Sequence, residues 1–450
     1  MIDMLGTLEP GHGVASCYQI VPPRPPVDPL WRTLVVLADT DTVAGEGGDG
    51  PNDAPLLSRR VVGAYGATRA DSVPRGVGEA VERFALLPPS SGAPDGARAT
   101  PDVLAGSGVL LDFGAPGIAL GSPAASIEEL RWYPGRRLSS GEQVWVPAAL
   151  VDDPVDPADN PGWFDSGPSG AAAGPDLERA TARALLEIIE RDAFMVAWER
   201  ELRLPLLDPD RLLRNSSMDT SGLDARRRLA VLRDRLSAAG LQVVIASLPC
   251  GVPQVRGVVA VVIDRTSESP IAAVGCKAAF DQVDSAAGAI QEALQIRSTM
   301  INGRLRLRSC PPPGQVVTDE DRLRWLASRH GFEAVSEWVA GFRAATDPAP
   351  TESAAGPSSG SGQPVDAIVA DGGDPIVVDL TARLPEPLRV MGWAAVKVIP
   401  VGYQHLRIDE RMPHSWNVPR LASATERTGV PARAPWPRAT DEPHRPHPLP

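Results

Sequence analysis

Two short segments of the chain carry the same charged pattern. Gly78 to Ala85 reads GEAVERFA, and Leu186 to Ala193 reads LEIIERDA. The first supplies Glu79, Glu82 and Arg83; the second supplies Glu187, Glu190 and Arg191. Spacings of three and four put each trio on one face of a helix. Paired carboxylates are oxygen ligands for a hard cation. Mg2+ takes one or two of them and leaves positions for phosphate oxygens. Arginines nearby neutralise phosphate through paired hydrogen bonds. The pattern therefore points to Mg–ATP, with Glu79, Glu82, Glu187 and Glu190 as metal ligands. A third segment, QEALQIR, adds Glu292, Gln295 and Arg297 to the nucleotide-binding set.

These side chains need rigid supports. Each trio is expected on a helix entered through a Gly-containing turn: AYGAT at Ala64, PSGAAAG at Pro168 and GCKAAFD at Gly275. The spacing predicts helices over 76–87, 177–201, 224–239, 285–302 and 319–345. The second is the strongest, and Leu204-Pro205 lies just beyond its end. Its glutamates lie within the apolar run ALLEIIERDAFMVAW, so they are expected to be partly buried and to need partners. Strands are expected at TLVVLA, QVWVPAALV, LQVVIASL, RGVVAVVID, PIVVDLT and WAAVKVIPVG. Strands alternating with helices make the class α/β, mixed α+β. Residues 88–105 and 349–373 read as loop, the latter as a disordered low-complexity insertion, and 422–450 as an extended Pro-rich tail. The chain divides into an N-terminal segment (1–60), a main domain (61–421) and that tail. No P-loop, no GxGxxG after a strand and no GxSxG elbow is present.

Composition narrows the function classes. The net charge of −12 disfavours nucleic acid. No run of 18 apolar residues and no signal peptide is visible, so a cytoplasmic protein without a membrane span is expected. Cys17, Cys250, Cys276 and Cys310 form no CxxC pair and fit no zinc spacing. Lys277 and Lys397 are the only lysines, which reads as a compositional bias toward Arg.

The three charged segments, in this order and with these flanks, resemble the YcaO family. The closest match is SGPSGAAAG through ALLEIIERDAFMVAW with Trp198, and the likeness extends to VVDLT, to VKVIPVG and to a terminal Pro446-His447-Pro448-Leu449-Pro450. A PxPxP end marks the azoline-forming members. The resemblance implies a fold with duplicated helix motifs around ATP and Mg2+, with Ser169 beside the nucleotide. It implies an ATP-dependent cyclodehydratase that turns Cys, Ser or Thr of a ribosomal precursor peptide into thiazoline or oxazoline. It places Pro446, Pro448 and Pro450 in the active site, the carboxylate of Pro450 acting on the substrate. No winged-helix leader-binding segment is visible, so a separate E1-like partner is expected; a homodimer is left open. The sequence also departs from the family pattern. Tyr65 stands where the family has Lys, Arg75 where it has Ser, and Pro168, Pro175 and Arg179 alter the second block. These changes favour a rival reading as a non-catalytic scaffold; the carboxylates and the tail favour the enzyme.

Overall fold

The structure is a computed structural model. It describes residues 2–25, 27–38, 60–89, 96–119, 129–160, 162–215, 220–265, 270–303, 312–344, 364–412, 415–436 and 445–450. The chain forms β1 (Ala15–Val21), β2 (Trp31–Leu37), β3 (Val61–Gly66) and α1 (Arg69–Leu86). Next come β4 (Ala97–Ala99), α2 (Pro101–Ala105), β5 (Val109–Leu110), β6 (Leu130–Arg137), β7 (Gln143–Pro147), β8 (Ala171–Gly174) and α3 (Leu177–Glu199). Then β9 (Leu206–Leu207), α4 (Pro209–Asn215), α5 (Thr220–Ala238), β10 (Gln242–Leu248), β11 (Arg256–Asp264), β12 (Ile271–Ala279) and α6 (Gln282–Asn302) follow. Short helices lead to β13 (Ile376–Asp379) and β14 (Ala394–Ile399).

The described residues form three sheets: β1-β2-β3, β12-β11-β10-β9, and a seven-stranded sheet ordered β5-β7-β6-β13-β14-β8 with β4 beside β6. The period-2 geometry of a strand decides what covers the last of these. Ala171 and Ala173 of β8, and Ala395 and Ile399 of β14, join the cluster around α1. Ala172, Ala394, Val396 and Val398 join the cluster around α3. One helix thus covers each face, and the alanines of β8 keep the spacing small. Helix α3 also packs on β12, and α1 on β2 and β3. The two helices with duplicated motifs therefore join all three sheets.

Several expectations need correction. GCKAA is strand, not turn: Ile271–Ala279 pairs with β11 along its whole length. The first helix begins at Arg69 and runs through Pro74. Proline inside a helix costs about 3 kcal/mol, and burial of Val77, Val81, Phe84 and Leu86 offsets it. Residues 88–105 contain β4 and α2 rather than loop alone. The helix expected over 319–345 is two, Asp319–Leu326 and Arg329–Ala340. Within 349–373, Val365–Ala370 is helical and Ile368 is buried; the part up to 363 lies outside the described residues. The tail begins with a helical turn, Ala424–Thr428, closed by Gly429 at φ +67. Cys310 is outside the described residues. No helix among the described residues is long and apolar enough to cross a membrane.

Candidate active site

The site is built from one structural unit used three times: a strand, a capping side chain, and a long helix. Thr68 caps α1, Asp176 caps α3 and Asp281 caps α6, each accepting the N–H three residues on. Glu79, Glu187 and Glu292 stand at one common distance from their caps. Glu82, Glu190 and Gln295 share the next register, and Arg83 and Arg191 the one after. Close strand–helix approach repeats too. A Cβ on Gly66 would come within 2.3 Å of Ser72 N, and one on Gly174 within 2.8 Å of Ala180 N. Any larger residue there would push the helix, and its glutamates, off the strand.

Most of the expected residues do converge. Arg191 is the hub: its guanidinium lies 3.6 Å from Glu187, 3.6 Å from Glu190, 3.5 Å from Glu292 and 3.4 Å from Cys276 Sγ. Arg83 plays the same part in the first unit, 2.9 Å from Glu79, 4.0 Å from Glu82 and 3.7 Å from Asp153. Burial pushes the Glu82 carboxyl well above its ordinary range, and the nearby charges of Glu79 and Glu187 add to this. Glu187 and Glu292 are raised for the same first reason, with Arg191 opposing. One carboxylate from the second unit and one from the third also close the strand edge of β12. Ala278 N donates to Glu190 at 2.7 Å and Cys276 N donates to Glu292 at 2.6 Å. These amides belong to β12, the last strand of its sheet, so helix side chains accept where a further strand would.

Other expected residues lie apart. Arg297 donates to Asp264 at 2.7 and 3.0 Å and to Val27 O at 2.7 Å. It stands one position beyond the register of Arg83 and Arg191, about 100° further round the helix, and so faces β11. Gln295 is partly exposed on the same helix. Ser169 meets the site through its backbone carbonyl. Among the described residues, the group of three ligand atoms lying within 4.8 Å of one another is Glu190, Cys276 and Glu292. That differs from the expected ligand set of Glu79, Glu82, Glu187 and Glu190.

Four residues in the cluster were missed by the sequence reading: Asp153, Cys276, Lys277 and Lys397. Lys277 Nζ lies 3.3 Å from Glu190, whose charge raises the lysine's affinity for its proton. Lys397 is buried and donates to Gly167 O and Ser169 O at 2.7 and 2.6 Å. Burial pulls it down to about 8 against the pull of Glu187 and Asp153. A chain that elsewhere uses arginine keeps its two lysines here, and that was the available signal.

Beyond Lys397 lies a recess walled by Ile118, Leu150, Ile399, Leu406 and Ile408. Asp165 and His405 also line it. Asp165 accepts Ile408 N and Asp409 N, and burial raises it to about 6. Burial lowers His405 to about 4.

The C-terminal tail is docked. Trp198 of α3 donates to Arg445 O at 3.4 Å. The fully buried Arg322 donates to His447 O at 2.9 Å. His447 Nε2 meets Arg407 O at 2.6 Å, and Leu449 N donates to its Nδ1 at 3.4 Å. That pair of contacts fits a neutral ring protonated on Nε2. Leu449 is 2% exposed within the core. The residues between the prolines make the anchors. Pro448 is buried, and Pro446 and Pro450 are half-buried.

Residues 63–402 match the family profile described as YcaO cyclodehydratase, ATP- and Mg2+-binding. The chain belongs to the YcaO family. The fold agrees. A heterocyclase solved in complex with substrate and cofactor superposes with a TM-score of 0.64 at 19% identity, over 94% of this chain and 54% of that one. YcaO from Methanopyrus kandleri, bound with AMPPCP and Mg2+, gives 0.56 at 20% identity, over 88% and 87%. The E. coli microcin synthetase McbBCD complex gives 0.55 at 14%, over 86% and 88%. In sequence, an uncharacterized protein of Methanothermobacter thermautotrophicus is 30% identical over 177 residues, 39% of this chain and 43% of that protein. The chain thus spans less than half of that relative and about half of the first heterocyclase.

The YcaO family binds ATP and Mg2+, and the donor set fits both. Glutamate oxygens suit Mg2+. The carboxyls are raised first by burial and then by one another's charge, and a divalent cation offsets both. Arg191 Nε is buried without a hydrogen-bond partner, a donor left over beside the glutamates.

Proposed function

We propose that the chain is an ATP-dependent cyclodehydratase that forms thiazoline or oxazoline rings in a ribosomal precursor peptide. The observation that supports this most is the convergence of Glu79, Glu82, Glu187, Glu190 and Glu292 around Arg83 and Arg191 in a YcaO fold. When bound, Mg–ATP supplies the phosphoryl group that turns an amide oxygen into a good leaving group.

The chain's own residues hold and neutralise. Glu82, Glu187 and Glu190 offer oxygens for the cation, and Arg83 and Arg191 balance phosphate charge. In phosphoryl transfer such positioning supplies most of the rate. Lys397, by holding Gly167 O and Ser169 O, fixes the turn that leads into β8. The docked tail carries Pro446, Pro448 and Pro450, which contribute to the active site. The partners are the precursor peptide and a separate E1-like protein that delivers it and raises its effective concentration. The domain division, with residues 61–421 as catalytic domain and 422–450 as its tail, belongs to the same proposal.

The test is mass spectrometry of candidate precursor peptides incubated with the chain, its partner and Mg–ATP. Loss of water per ring, dependent on ATP, is the expected result. ATP turnover with no change in peptide mass overturns the cyclodehydratase reading.

A further inference from the structure

Two lysines occur in 450 residues, and both lie against the carboxylate cluster. They are not equivalent. The head of Lys397 is committed to two carbonyls and the residue is 3% exposed. The side chain of Lys277 is 42% exposed, against 17% for Arg191 and 32% for Arg83. Its contact among the carboxylates is one 3.3 Å ion pair to Glu190, itself 2% exposed. Lys277 thus has its backbone fixed at the base of the site and, of the four cations in the cluster, the most exposed side chain.

Its backbone is held firmly. The residues on either side, Cys276 and Ala278, donate their N–H groups to Glu292 and Glu190. Space for the stem is built in as well. Gly288 of α6 lies beneath it, and a Cβ there would stand 2.7 Å from Lys277 Cγ. A glycine inside a helix costs about 1 kcal/mol relative to alanine, and here its bareness leaves a channel for the lysine side chain. The two arginines of the cluster are shared among several carboxylates each. A compact ammonium on a flexible stem suits a phosphate oxygen whose position shifts between substrate and product.

We propose that Lys277 binds the phosphate chain of ATP, swinging from Glu190 to the phosphate oxygens as the carboxylate takes Mg2+. This rests on the site being a nucleotide site, and goes beyond it in naming a cation from β12 that the charged-helix motifs do not contain. Glu190 exchanges one cation for another, so the charge balance of the buried carboxylate is kept throughout.

Because the chain holds two lysines, amine chemistry can read the site directly. An acyl-phosphate derivative of ATP brings an activated carbonyl to the phosphate chain. The amine attacks that carbon, the carbon–oxygen bond to phosphate breaks, ATP leaves, and the amine proton passes to solvent. The full-length protein is treated with this probe and Mg2+, digested, and mapped by mass spectrometry. Label on Lys277, suppressed by excess Mg–ATP, is expected. Lys277→Met should weaken binding of a fluorescent ATP analogue about tenfold, with the melting temperature held and Lys277→Arg recovering part of the affinity. An unlabelled Lys277, label indifferent to ATP, or unchanged affinity in Lys277→Met overturns the assignment. So does a wild-type chain that binds no ATP. Failure to form azolines while Lys277 is labelled and protected removes the cyclodehydratase reading and leaves this one standing.

Discussion

Glu190 of helix α3 accepts the backbone N–H of Ala278 from strand β12 at 2.7 Å. A carboxylate almost wholly withdrawn from solvent thus joins the motif helix to the far sheet, with Lys277 and Arg191 balancing its charge.

Glu190→Gln keeps an acceptor for Ala278 and removes the charge. The expected outcome is loss of Mg–ATP binding and a fall in ring formation of roughly 100-fold or more, as for other preorganised charges in active sites. The melting temperature should move little, because Arg191 keeps Glu187 and Glu292 and the side chain of Lys277 is 42% exposed. Calorimetric titration with Mg–ATP and peptide mass spectrometry check this; full turnover in the variant counts against a metal role.

Arg297→Met should behave in the opposite way. It removes the guanidinium that pairs with Asp264, which is 2% exposed, and breaking a buried pair costs up to about 3–5 kcal/mol. Urea unfolding should show that loss while ATP affinity of the folded fraction stays unchanged. A large drop in affinity at constant stability would return Arg297 to the nucleotide site.

The tail separates two kinds of edit. Removing Leu449 and Pro450 deletes a core leucine, a loss of about 2–3 kcal/mol from burial alone, so activity lost there proves nothing about chemistry. Pro450→Ala leaves His447 and Leu449 seated and changes only the half-buried proline beyond them. Ring formation should fall in that variant with unfolding unchanged. Full activity there takes Pro450 out of the mechanism.

The recess titrates in two opposing directions. Asp165 is raised from 3.8 to about 6, so its proton favours the fold at low pH and that contribution is lost as pH rises through 6. His405 is lowered from 6.5 to about 4, so its contribution is present above 6.5 and lost as pH falls through 4. Each shift corresponds to about 3 kcal/mol, and between pH 4 and 6 the two nearly cancel. Relative to wild type, Asp165→Asn should gain stability with rising pH over this window, and His405→Gln should lose it. Parallel pH profiles of unfolding in all three proteins would refute the assignment.

Much of this was legible beforehand, for definite reasons. The glutamates at 79, 82, 187 and 190 were visible because helical spacing is local. The run RGVVAVVID showed its strand because both faces are buried. What escaped was non-local. Arg297 was misplaced because one residue of register is invisible without the cap at Asp281 that fixes the count. GCKAA was read as a turn because Gly275 suggested one; the glycine is there to let α6 approach, a Cβ lying 2.4 Å from Ala293 N. Lys277 and Lys397 were dismissed on composition, since their value depends on neighbours brought in from other helices. Asp165 and His405 line one recess from positions far apart in sequence, which no spacing rule spans.

The capping of β12 by glutamates has a second consequence. A bare strand edge is where another chain adds itself, and charged side chains laid along it are a known guard against that. Here one of the guards, Glu190, is also a proposed cation ligand, and Glu292 stands beside it. A cation held by Glu190 would compete with the Ala278 amide for the same carboxylate. On the proposed function, solubility and ligand occupancy would be joined through that peptide N–H group. Glu190→Ala with Glu292→Ala should leave a chain that is inert and also prone to pair with its own copies along this edge, which light scattering would detect.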